Sequence, residues 1–312
     1  MTIVIPGGSG QIGTVLARSF HDRGDHVVVL SRHPEKRPWT VVSWDGATLG
    51  AWADEIGRAD VVINLAGRSV NCRYNASNRR AILESRVRST TAIGAAIAAA
   101  ARPPRVWLQA STATIYAHRY DAPNDEWSGI IGGHEPDAPD TWTFSIDVAT
   151  AWERAFTDAV TPRTRKVALR SAMVMSPDRG GIFDTLRGLV RRRLGGKAGD
   201  GRQFVSWIHE HDFIRAIDWL IEHDEIDGMV NVAAPNPVPN AAFMRALRAA
   251  AGVRVGLPAS KWMLEVGAVC LRTETELILK SRRVVPARLQ ESGFVFQYPH
   301  WTEAARDLCR AA

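Results

Sequence analysis

The chain has 312 residues, 46% hydrophobic and 23% charged, the balance of a globular protein, which excludes a disordered or fibrous chain. No apolar run nears the roughly 18–20 residues of a membrane span, the best candidate being the alanine-rich stretch from Ala92 to Ala101. The formal charge of +6 raises nucleic acid as a partner, but the arginines are scattered and the one tight run, Arg191-Arg192-Arg193, lacks interleaved aromatics; an anionic small ligand explains the charge more simply.

In chain order, β-branched runs predict strands at Thr2–Ile5, His26–Leu30, Thr40–Trp44, Asp60–Leu65, Arg105–Ala110, Lys166–Ala172 and Met229–Val232. Helical patterns fall between them at Gln11–Asp22, Leu49–Ile56, Ser77–Ala100 and Thr143–Ala159, with a further helix at Phe213–Glu222 capped by Asp212. Strict alternation of strand and helix predicts an α/β fold with a doubly wound parallel sheet, because parallel neighbours need crossover connections. The chain opens directly on a strand without the basic n-region of a signal peptide. Its three cysteines, Cys72, Cys270 and Cys309, form no CxxC pair. Both features fit a cytoplasmic protein with neither disulfides nor structural zinc.

The first strand runs into Pro6-Gly7-Gly8-Ser9-Gly10-Gln11-Ile12-Gly13 and then a helix. Glycines spaced in this way between strand and helix predict a dinucleotide site built from Gly7, Gly10, Gln11, Ile12 and Gly13. Gly7 allows the tight turn, Gly10 lets the backbone approach a pyrophosphate, and Gly13 lets the helix close on the strand. The second strand ends at Leu30-Ser31-Arg32. An NAD site places an acid there; Arg32, helped by Ser31, suits a 2′-phosphate and predicts NADP(H) over NAD(H). Asp45 is placed to touch the adenine, and the small residues of Leu65-Ala66-Gly67 let the chain run close to the cofactor. The segments outside the alternating rhythm divide the chain into a nucleotide-binding domain, residues 1–175 plus 204–234, and a mostly helical substrate-binding region, residues 176–203 plus 235–312.

Several ordered motifs carry a family resemblance: Gly7 to Gly13, Asn64-Leu65-Ala66-Gly67, Glu84-Ser85-Arg86-Val87, Gly199-Asp200-Gly201-Arg202-Gln203 through Trp207-Ile208-His209, Ala234-Pro235-Asn236-Pro237 and Gly293-Phe294-Val295-Phe296. Together they resemble the atypical extended short-chain dehydrogenases, and within them the YfcH-like epimerase-family proteins with their C-terminal domain of unknown function. The resemblance implies an NADP(H)-binding Rossmann fold with a small C-terminal substrate domain. It also implies a Ser or Thr at the end of the fifth strand and a Tyr and Lys four residues apart on the next helix, a pair that moves the proton while hydride is transferred.

Thr112 answers to that strand-end hydroxyl, beside Ser111 on the cofactor side. The four tyrosines, Tyr74, Tyr116, Tyr120 and Tyr298, are followed four residues on by Asn78, Tyr120, Asn124 and Thr302, so no YxxxK occurs. The two helix positions fall at about Ser145 and Ala149. Either another acid serves or the protein binds cofactor without the usual chemistry. Candidates are Tyr116 and Ser145, then Asp147, His118 and His209. Gln203, Trp207 and His209 read as substrate-pocket walls. His209-x-His211-Asp212 lacks a plausible distant partner for a metal, and no metal is assigned. Arg187 and the triple arginine offer either a helix-end charge or an anchor for an anionic substrate. The resulting expectation is an NADP(H)-dependent oxidoreductase or epimerase-like enzyme on a small polar carbonyl or alcohol, with no nucleic-acid or membrane partner and a homodimer held open. The alternative is a non-catalytic NADPH-binding regulatory or assembly protein.

Overall fold

Seven runs of β-branched residues pair into one parallel sheet in a computed structural model that describes residues 1–136, 138–260, 262–263 and 276–312. The strands are β1 (Thr2–Pro6), β2 (His26–Ser31), β3 (Thr40–Ser43), β4 (Val61–Asn64), β5 (Val106–Thr112), β6 (Arg165–Ser171) and β10 (Gly228–Val232), in the order β10-β6-β5-β4-β1-β2-β3. Every pairing is parallel, with Ile3 opposite Val27 on one side and Val61 on the other. The chain leaves β1 toward β2 and β3, then returns to build outward from β4. The reversal opens a crevice between the ends of β1 and β4, where ligands of such sheets bind.

Both faces of the sheet are covered, which is why its strands read as nearly continuous apolar runs. Ile3, Ile5, Val27 and Val29 pack with Leu16 and Phe20 of α1 (Gln11–Asp22) and Phe213 and Leu220 of α6 (Glu210–Glu222). The alternate residues Val4, Val28 and Val62 pack with Ile56 of α2 (Ala53–Ile56), Ile93 and Ile97 of α3 (Ala76–Ala99), and Phe156 of α4 (Asp140–Thr157). The alanine-rich half of α3 thus lies on the sheet, and small residues let it come close: a Cβ on Gly94 would stand 3.4 Å from the Trp107 ring of β5 and 2.9 Å from the Ala159 methyl just after α4. Among the described residues no helix is long and apolar enough to cross a membrane.

Short strands extend the molecule above the sheet: β7 (Met173–Met175) pairs with β9 (Trp207–His209), and β8 (Phe204–Val205) with β11 (Val238–Pro239). Around them α5 (Ile182–Arg191), α7 (Asn240–Ala250) and the final helix α10 (Trp301–Ala311) enclose a separate apolar cluster of Phe183, Val190, Trp207, Phe243, Leu247 and Trp301. The short helices α8 (Glu276–Leu279) and α9 (Ala287–Glu291) run between.

Several expected helix bounds change: the helix expected at Thr143–Ala159 spans Asp140–Thr157, and that expected at Ser77–Ala100 spans Ala76–Ala99. Of residues 49–56 only Ala53–Ile56 is helical. The helix expected from Phe213 starts at Glu210, because the His209 ring nitrogen accepts from His211 N at 3.1 Å and caps it. Asp212, expected as the cap, is fully buried and accepts from Gln297 N and Tyr298 N at 2.8 Å each, tying the C-terminal segment down. Cys72 and Cys309 are free thiols, while Cys270 lies outside the described residues.

Candidate functional site

At the β1–β4 crevice the two chain segments nearly touch. Gly7 has φ +73° and a Cβ on it would fall 2.5 Å from Ala66 Cα; one on Gly13 would fall 2.4 Å from Gly8 Cα. The protein itself therefore requires both glycines. Gly10 differs: the nearest atom to its Cβ position is 3.9 Å away, in open space at the start of α1, where no side chain caps the helix. Unsatisfied amides at a helix N-terminus, facing a space kept clear of side chains, fit a phosphate group.

The cleft in front of this loop measures about 480 Å³ and is lined by Gly7, Gly10, Ser31, Arg32, Asp45, Leu65, Ala66 and Gly67 among others. Arg32 is exposed there and makes no ion pair among the described residues. The Ser31 hydroxyl is engaged with its own loop, donating to His33 O at 3.1 Å and accepting from His33 N at 3.2 Å. Asp45 stands at the rim with its oxygens committed to Ala47 N, Thr48 N and the Thr48 hydroxyl, which hold its carboxyl below the usual range. Three of the expected residues stand behind the cleft wall. Gln11 faces Gly181, where its Nε2 has no partner; Ile12 packs on the sheet core; and Gly13 serves the helix contact. Arg68 and Arg88 line the cleft without having been expected.

A second, smaller pocket of about 110 Å³ gathers Thr112 from the end of β5 and Ser145 and Ala149 from α4 with Tyr74, Arg86 and Glu276. Ser145 Oγ donates to Glu276 Oε2 at 2.5 Å. Thr112 Oγ1 accepts from Thr114 N at 3.1 Å, which leaves the Thr112 proton for another acceptor. The Tyr74 phenol is pushed up to about 12 by burial and then by the Glu276 charge, against a hydrogen bond with Ser145. Arg86 places its Nη1 on the carbonyls of Arg68 and Ile82, both at 3.0 Å, and its guanidinium 5.0 Å from the Trp152 ring centre. Burial pushes it down to about 10. Its Cζ would stand 3.3 Å from a Cβ on Gly67, so Arg86 forms the partition between pocket and cleft. Ser145 and Ala149, the helix positions at which the resemblance implies Tyr and Lys, carry side chains too small to fill this space.

Several expected site residues belong elsewhere. Tyr116 is a structural residue: its hydroxyl donates to Asn231 Oδ1 at 2.9 Å and accepts from Arg170 Nη1 at 3.0 Å, with 1% of the residue exposed. Ser111 joins the same buried network rather than the cleft, donating to Glu153 Oε1 at 2.6 Å. Glu153 in turn takes Arg170 Nε at 2.8 Å and Nη2 at 2.7 Å. Trp207 lies in the core of the upper cluster, 5.0 Å from the Trp301 ring, and is no pocket wall. Gln203 is buried and braces the carbonyls of Ala198 and Ile278. His209 is buried under Tyr298, stacked at 3.9 Å, and caps α6.

Neither Asp147, which is exposed, nor His118, whose Nδ1 accepts from Ser281 N at 2.8 Å, lines the small pocket. Arg187 donates to Ala312 O at 2.6 Å, and Arg191 to Arg193 are exposed at the end of α5. Tyr74, Arg86 and Glu276 had no assigned role from sequence. The available signals were Arg86 within the Glu84-Ser85-Arg86-Val87 motif and Tyr74 in the tyrosine inventory.

A glycine-cradled cleft at the switch point of a seven-stranded parallel sheet, with a lobe above the strand ends, defines an extended short-chain dehydrogenase fold. Residues 3–233 match the model of the NAD dependent epimerase/dehydratase family, and residues 259–308 match a domain of unknown function (DUF1731). The chain belongs to the NAD dependent epimerase/dehydratase family. It is 31% identical over 314 residues to the epimerase family protein SDR39U1 of Bos taurus, covering 99% of each chain. It is 29% identical over 310 residues to the epimerase family protein SERP0438 of Staphylococcus epidermidis, again covering 99% of each. The crystal structure of human epimerase family protein SDR39U1 (isoform 2) with NADPH superposes with a TM-score of 0.86 at 28% identity over 100% of both chains. UDP-N-acetylglucosamine 4-epimerase from Bacillus cereus shares the fold at a TM-score of 0.71 and 14% identity, over 100% of this chain and 98% of that one.

Proposed function

We propose that this chain is an NADP(H)-dependent oxidoreductase, or an epimerase-like enzyme, acting on the carbonyl or alcohol of a small polar substrate. The observation that carries the reading is the convergence of the Thr112, Ser145 and Tyr74 hydroxyls and the Glu276 carboxylate on one small pocket beside the cleft. NADP(H) is favoured over NAD(H) by Arg32, which suits a 2′-phosphate and offers no acceptor to a ribose hydroxyl. The NADPH in the human relative's structure supports the same choice. When bound, the nicotinamide supplies or takes the hydride.

The chain's own residues then handle the proton. Thr112 donates its hydroxyl proton to the substrate oxygen and orients it. In the oxidising direction the substrate hydroxyl gives its proton to Ser145 Oγ as Ser145 gives its own to Glu276; reduction reverses both transfers. Tyr74, with its phenol near 12, stays protonated at neutral pH and acts as a hydrogen-bond donor, not a base.

The test has two stages: fluorescence titration with NADPH and NADH, then turnover over a panel of small hydroxy and oxo compounds. Thr112→Val and Glu276→Gln should each bind NADPH within about twofold of wild type and lose about a hundredfold or more in kcat. Retained turnover in either variant removes that residue from the mechanism. Selective NADPH binding without turnover by wild type would favour a regulatory or assembly role, and binding of neither nucleotide would end the enzyme reading.

A further inference from the structure

We infer that Arg86 anchors a carboxylate of the substrate, which makes the substrates of this pocket small 2-hydroxy or 2-oxo acids; the inference rests on the enzyme reading above. Arg86 is half-buried, and among the described residues it has no carboxylate partner. Its Nη1 is used on two carbonyls, while among the described residues Nε and Nη2 meet no acceptor. Two donors along one edge of a planar fork match the two oxygens of a planar carboxylate. The pocket lining and the near contact with Gly67 put this edge between the substrate pocket and the cofactor cleft. Burial pushes the group down to about 10, the mark of a desolvated cation without a counter-ion.

The rest of the pocket gives the ligand its polarity. Glu276, at the Ser145 side, is the acidic group of the pocket lining, with Arg282 Nη2 at 3.9 Å from its Oε1. An anionic group is repelled there and drawn to Arg86, which turns the reacting oxygen toward Thr112 and Ser145. The size of the space sets the separation between the two ends. The space of about 110 Å³ lies well below the roughly 300–1,000 Å³ of ordinary ligand pockets, so carboxylate and reacting carbon lie close together. The exposed arginines at the end of α5 play no part, since they line neither space.

Isothermal titration of NADPH-saturated protein with oxamate, an anionic 2-oxo acid analogue, and with oxamide, its neutral counterpart, tests the assignment. Wild type should bind oxamate about tenfold or more tightly than oxamide. Arg86→Gln should erase that preference while keeping oxamide and NADPH affinities within about twofold, and Arg86→Lys should restore part of it. Equal binding of the two probes by wild type, or an undiminished preference in Arg86→Gln, would overturn the inference. So would a loss of NADPH affinity in Arg86→Gln as large as its loss of oxamate, since the guanidinium would then serve the cofactor phosphates. If Arg86→Gln does not fold, the wild-type pair and Arg86→Lys still decide. Wild type that selects oxamate but turns over nothing sinks the enzyme reading and leaves the anion site standing.

Discussion

Arg170 is buried and Arg86 half-buried, and the protein treats the two in opposite ways. Arg170 meets Glu153 through two bonds of 2.8 and 2.7 Å and gives a third to the Tyr116 hydroxyl. Burial alone would lower its pKa, but the Glu153 bonds raise it above the ordinary value. Ser111 and Asn231 complete the network, which joins β5, α4, β6 and β10. Arg86 has carbonyls and an indole face, and its pKa falls to about 10. A closed ion pair of the first kind is architecture. A half-buried cation with no carboxylate partner among the described residues is placed to take one from a ligand.

The comparison breaks most sharply at Glu153. Glu153→Gln strands the Arg170 charge in the interior and should cost about 3–5 kcal/mol in urea unfolding, whereas Arg86→Gln without ligand should change stability by less than about 1 kcal/mol. Similar losses in the two variants would mean that Arg86 is as structural as Arg170.

Buried His209 is a third case, an ionisable group kept neutral. Burial, then the neighbouring His211, lowers it from 6.5 to about 4 against the pull of Asp307. The unfolded chain takes up this proton below 6.5 and the folded chain only near 4, so stability is complete above that window and falls as pH drops through it. The loss by pH 4 should be about 3 kcal/mol relative to a His209→Asn control measured in parallel. Equal acid sensitivity of the control would acquit His209.

The smallest effects belong to the cleft, where no protein partner is disturbed. Gly10→Asp should weaken NADPH by more than about a hundredfold at an unchanged melting temperature, because the new carboxylate meets the phosphates and not the protein. Arg32→Asp should shift preference from NADPH toward NADH by about tenfold. A preference that stays put would remove Arg32 from the 2′-phosphate.

The glycine loop, the place of Arg32 at the cleft and all seven sheet strands were legible because each is local: a β-branched run, a turn only glycine tolerates, a residue at a strand end. Thr112 and Ser145 were also within reach, through a strand end and a count along one helix. Tyr116 misled because a tyrosine just past a strand end looks poised toward ligand, while its partners, Asn231 and Arg170, lie far along the chain. Trp207 and His209 misled in the same way, since only the packing of α10 and Tyr298 over them takes them out of reach.

The sequence by itself thus determined the class of fold and the glycine loop of the cleft, since hydrophobic periodicity and glycine's conformational freedom act within a few residues. Tertiary structure alone decided which polar residues share a pocket. Tyr74, Arg86, Thr112, Ser145 and Glu276 meet because α3, α4, the end of β5 and α8 converge above the sheet. Burial and partners then set the charges: Glu153 turns Arg170 into a strut, while Arg86 is left lining the small pocket.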